Sequence, residues 1–169
     1  MAAGLGTLPS RAGGPTEYQV KAAFLYNFGK FVDWPSNAFA ATNAPLVIGV
    51  FGENPFGDNL QSIVRGKNIG NHRVAVRRLR SLSELKRCQI LFVSASEKQR
   101  LPDILRAVRG AGVLTVSDMD HFTEAGGMIS LFMENREIRF QINNEAARAA
   151  GLKISSKLLI LAERSHPAN

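Results

Sequence analysis

The chain has 169 residues, 45% hydrophobic and 21% charged, a composition of one globular domain that excludes a disordered or collagen-like chain. No apolar run nears the roughly 18 residues of a transmembrane helix, and the single cysteine, Cys88, excludes an internal disulfide or a multi-thiolate zinc site. A formal charge of +7 permits acidic partners without choosing among them.

Residues 1–16 show neither helical nor strand period. They read as a disordered tail, a tag or the remnant of an export signal, with residues 2–8 ending an apolar stretch and Ser10-Arg11-Ala12 as a small-x-small cleavage site. On the export reading the mature chain starts near Gly13. A helix is predicted over 17–32, with Thr16 as N-cap and an apolar stripe of Val20, Phe24, Phe28 and Val32 widened by Ala23 and Phe31. Asp33-Trp34-Pro35 ends it. The rings of Phe24, Tyr26, Phe28, Phe31 and Trp34 read as core rather than as a cofactor site.

The continuous apolar run 46–51, between Pro45 and Gly52, is a strand buried on both faces. A helix over 56–64 follows, with Phe56, Leu60 and Val64 on one side. The alternation over 72–79 marks an outer strand, 82–86 a short helix and 89–93 a second buried strand. Ser96 and Gln99 form a capping box for a helix running to about Val108, closed by Gly110 and Gly112. A strand over 113–116 and one helical turn over 117–124 come next. Residues 128–133 and 137–142 flank Glu134-Asn135-Arg136 and read as a hairpin. A helix over 144–150 stops at Gly151, and a last helix over 154–163, capped by Ser155 or Ser156, sets Ile154, Leu158 and Leu161 on one face. The fold is α/β: a single-domain sandwich over 17–164, a mostly parallel sheet flanked by helices with a late antiparallel hairpin, and a polar tail over 165–169.

Catalytic constellations do not assemble. Gly49, Gly52 and Gly57 follow the first buried strand, but Pro55 and Phe56 stand where a dinucleotide loop needs free amides, and Gly66-Lys67-Asn68 lacks the hydroxyl of a P-loop. No serine lies in a G-x-S-x-G elbow, and His72, His121 and His166 have no evident nucleophile partner. Asp118, Asp120, His121 and Glu124 gather after a strand and offer either divalent-metal ligands or, more simply, a helix cap with acids at its positive end. No metal and no cofactor is therefore assigned. Cys88 reads as a small core hydrophobe, with a reactive or intermolecular thiol as the alternative because Lys86 and Arg87 adjoin it.

The basic excess lies in Arg65, Lys67, Arg73, Arg77, Arg78, Arg80, Lys86 and Arg87, opposed only by Glu84. That stretch holds no aromatic platform, which argues against nucleic acid. A solvated strand edge whose charges block edge pairing is the simplest reading.

Two stretches go beyond pattern: YQVKAAFLYNF at 18–28 with FVDWP at 31–35, and IRFQIN at 138–143 with Ala146 and AGLKISSKLL at 150–159. Together with Gly126-Gly127-Met128-Ile129 they resemble the YfiR-like family of small bacterial periplasmic proteins, over about 18–162. The resemblance implies a non-enzymatic periplasmic repressor that contacts the periplasmic portion of an inner-membrane diguanylate cyclase. Such a repressor is sequestered by an outer-membrane lipoprotein and is homodimeric, which couples envelope signals to cyclic-di-GMP and biofilm formation. It also implies partner contacts near Ile129, Gln141 and Ala147, to which Phe132 and Met133 on the same hairpin add apolar area. Relatives of the pseudomonad type carry two disulfides; Cys88 matches one of those cysteines, its partner position falls at Gly49, and the second pair falls near Thr123 and Ser130. Redox control would then require a bridge between protomers. The alternative is a periplasmic ligand-binding or sensor domain with its site near residues 52–57 and 117–121.

Overall fold

In the computed structural model, which describes residues 15–165, β2 (Leu46–Phe51) is buried along its whole length. Its alternation sends Leu46, Ile48 and Val50 to one face of the sheet and Val47 and Phe51 to the other. Beside it run β4 (His72–Leu79) and β5 (Ile90–Val93), both parallel to it. β6 (Leu114–Ser117) and β7 (Ile129–Glu134) extend the parallel set, while β3 (Asn68–Ile69) and β8 (Glu137–Ile142) are antiparallel edges. The order β3-β4-β2-β5-β6-β7-β8 reverses direction at β2, which makes the sheet doubly wound.

Helices cover both faces. On one side lie α1 (Glu17–Lys30), α2 (Asn59–Val64), α4 (Asn144–Ala149) and α5 (Ser156–Ser165), contributing Leu25, Phe28, Leu60, Ala147 and Leu158 to the larger core. On the other, a 3₁₀ segment (Leu82–Arg87) and α3 (Leu101–Ala107) bury Leu85, Leu101 and Ile104 against Phe51, Leu91 and Val93. β1 (Val32–Asp33) pairs antiparallel with β9 (Lys153–Ile154), and the Ser155 N–H donates to Phe31 O at 2.8 Å, tying the end of α1 to the start of α5.

The expected sandwich and hairpin are present, and the local departures have physical causes. Thr16 caps α1 with Gln19 as a reciprocal capping box, but the most buried positions are Lys21, Ala22, Leu25, Tyr26, Phe28 and Gly29 rather than the stripe through Val20 and Phe24. Gly29 explains the rotation: a Cβ there would lie 2.6 Å from the Ile69 methyl, so the helix reaches the sheet on its glycine side. The box at Ser96 does not form. Its hydroxyl instead accepts from the Glu53 N–H at 3.0 Å, Ser94 caps a 3₁₀ segment (Ala95–Arg100), and α3 begins afresh with a proline in its first turn.

Ser117 ends β6 and the residues after it, to 124, form turns rather than a helix, because the buried Ser117 hydroxyl donates to Val93 O at 2.6 Å and accepts from the Met119 N–H. The final helix starts at Ser156, with Ser155 accepting from the Lys157 N–H; Ile154 belongs to β9, and Ala162 rather than Leu161 continues the buried face. The export cleavage site and His166 lie outside the described residues.

Candidate functional site

In open parallel sheets, ligands bind at the carboxyl ends of the strands, where the strand order reverses. Here the part of that edge between the loops after β2 and β6 is closed by the protein itself. Gly52, at φ 96°, follows β2, and a Cβ on it would stand 2.7 Å from both the Ser96 hydroxyl and the Glu97 side chain. The loops after β2 and β5 therefore meet. Asn54 Oδ1 accepts from the Phe56 N–H and Asn54 Nδ2 donates to Gly57 O, each at 3.1 Å, so the loop satisfies its own amides instead of presenting them to a phosphate.

The first turn of α1 completes the closure. Tyr18 sets its ring edge-on to Phe56 at 5.6 Å and donates its hydroxyl to Asp118 Oδ2 at 2.7 Å, spanning both loops expected to form the ligand site. Lys21, only 4% exposed, donates to the same oxygen at 2.9 Å and to the Glu17 carboxylate. Burial pulls the Lys21 pKa down, yet its hydrogen bonds to Glu17 and Asp118 and the Asp118 charge outweigh this and leave it raised. Burial and the Asp118 hydrogen bond push Tyr18 up to about 12. This buried cation–anion pair escaped the sequence reading; its one visible signal was a lysine set among the apolar residues of an aromatic-rich helix.

With Asp118 turned inward, the four residues considered as metal ligands do not converge. Asp120, His121 and Glu124 are exposed, and His121 Nδ1 lies 3.1 Å from a Glu124 carboxylate oxygen. Among the described residues no group of three His, Cys, Asp or Glu side chains is placed to hold a metal ion. His72 stacks on Phe39 with ring centroids 3.8 Å apart and bonds to Ala44 O, a structural role.

Cys88 is buried, its thiol donates weakly to Leu85 O, and burial pushes its pKa up to about 12. Burial and a raised pKa favour the neutral thiol at this position. Gly49 on the neighbouring strand would place a Cβ 3.1 Å from Cys88 Sγ. Glycine and buried thiol thus pack together where the family resemblance sets a disulfide. Likewise Thr123 bonds to Gln141, and Ser130 is Gln141's partner across the hairpin, so both positions of the second pair flank one side chain.

The hairpin residues separate by burial. Ile129 and Ala147 are fully buried. Phe132 and Gln141 are half-buried, and Met133 is 49% exposed. Met133, Ile138, Val20 and Phe24 line one open groove between α1 and the hairpin.

The fold and this edge define a doubly wound α/β domain whose usual ligand crevice is sealed by its own side chains and whose hairpin forms the sheet's exposed flank. A family model described as YfiR/HmsC-like matches residues 18–163, and the chain belongs to that family. It is a family of periplasmic regulators of diguanylate cyclase signalling rather than of enzymes. No protein of curated function matches the chain. Among the described residues no helix is long and apolar enough to cross a membrane.

Proposed function

We propose that the chain is a periplasmic repressor of an inner-membrane diguanylate cyclase. It acts as a homodimer by direct contact with the cyclase's periplasmic portion. An outer-membrane lipoprotein sequesters it under envelope stress, which releases the cyclase and raises cyclic-di-GMP and biofilm formation. The family match across residues 18–163 carries this reading.

The geometry supports contact rather than chemistry. β8 is the last strand of the seven-stranded sheet, and a terminal strand offers backbone groups and one face to an incoming chain. Met133 on one face of the hairpin, over the core that holds Ile129 and Ala147, and Phe132 and Gln141 on the opposite face supply side chains for such contacts.

Calorimetry between the purified chain and the periplasmic portions of the inner-membrane diguanylate cyclases of its host tests the reading. Met133→Glu is expected to weaken binding about tenfold or more while leaving the unfolding midpoint unchanged, because the side chain is exposed. Ile129→Ala is expected to lower stability by about 3 kcal/mol through a core cavity. An absence of binding by the wild-type chain contradicts the proposal.

A further inference from the structure

Beside the sealed crevice lies an open hollow of about 390 Å³, lined by the carboxyl ends of β2 and β4 and by the turn after β5. Phe51 and Leu79 give it an apolar floor, and three arginines, Arg78, Arg80 and Arg100, line it against a single carboxylate, Glu97. Two of the guanidinium groups are held in place. Arg78 Nη2 donates to Gly52 O at 2.7 Å, while Arg100 Nη1 bonds Glu97 at 3.0 Å with its guanidinium 5.3 Å from the Phe51 ring. Glu84, the nearest other acid in sequence, spends its carboxylate on the Arg80 backbone N–H.

A guanidinium carries five donors in a rigid fork, so each fixed arginine keeps most of its donors after these single contacts. The Arg80 side chain adds the third charge. Such a set, at the edge of the sheet where this class of fold takes ligands, suits a compact oxyanion rather than a cation or an apolar molecule. We propose that this hollow is a binding site for a small phosphate-bearing anion, gripped by Arg78, Arg80 and Arg100. The site does not depend on the repressor reading, and its occupancy is measured without any cyclase.

Isothermal titration of the full chain at fixed ionic strength, with inorganic phosphate, glucose 6-phosphate and succinate in turn, tests the assignment. Phosphate and the sugar phosphate are expected to bind, and succinate about tenfold more weakly, because it lacks the compact phosphoryl face. Arg80→Ala and Arg100→Ala are each expected to lose about tenfold in phosphate affinity. Arg73→Ala removes the same charge from β4 outside the hollow and is expected to change nothing. Equal loss in Arg73→Ala would reveal general charge attraction and overturn the site. No binding at millimolar phosphate, or succinate binding as tightly, would also overturn it. Near-UV circular dichroism confirms folding; should Arg100→Ala unfold, Arg100→Lys keeps the charge without the fork and is expected to show the same loss.

Discussion

Lys21 is a buried charge whose stability rests on its partners. Its ammonium is buried with Asp118 and reaches Glu17, and a buried ion loses more from an absent partner than the pair gains from being present. Lys21→Met is therefore expected to destabilise the chain by about 3 kcal/mol, and Asp118→Asn by a similar amount. Combined, the two are expected to cost at least about 1 kcal/mol less than their sum, since neither then strands a charge. Urea unfolding of the four proteins checks this, and strict additivity would contradict a coupled pair. Nothing local in the sequence announces the link: the partners stand 97 positions apart, and only the strand order brings the loop after β6 under α1. Cys88 was legible as a core hydrophobe, because it leads into a buried strand, and it is buried.

At the scale of elements, legibility followed the apolar pattern. Runs buried on both faces, such as Leu46–Phe51 and Ile90–Val93, announce central strands because nothing but a covered sheet tolerates them. The helical turn expected over residues 117–124 and the capping box at Ser96 were lost to hydroxyl groups diverted by tertiary partners, Val93 O in one case and the Glu53 N–H in the other. The hairpin was visible, but its turn is tighter than expected: Glu134 and Glu137 are paired, leaving only Asn135 and Arg136, at φ 51° and 66°, as the loop. Two left-handed residues define a type I′ turn, which favours Asn followed by Gly. Arg136→Gly is accordingly expected to stabilise the chain by about 1 kcal/mol, read as a higher urea midpoint at unchanged slope. An unchanged or lower midpoint would mean that Arg136 contributes contacts worth more than its backbone strain.

For the whole molecule, Tyr18, Lys21 and Cys88 all hold their protons more tightly when folded than their ordinary values of 10.0, 10.5 and 9.0. A raised folded pKa contributes stability that is complete below the unfolded value and is lost as pH rises toward the folded one. Stability is thus expected to fall from about pH 9 upward, with Cys88 supplying about 2 kcal/mol of the loss by about pH 10.5. Cys88→Ala is expected to flatten that part of the profile, and an unaltered slope would contradict a thiol buried in its neutral form.

Cellular cyclic-di-GMP in the native host is the most direct test of the repressor reading, measured with the gene deleted and then restored as wild type or as Met133→Glu. A several-fold rise on deletion is expected, abolished when the gene of the cyclase it binds is also removed, reversed by the wild-type chain and not by Met133→Glu. An unchanged level on deletion would contradict a repressor of any diguanylate cyclase.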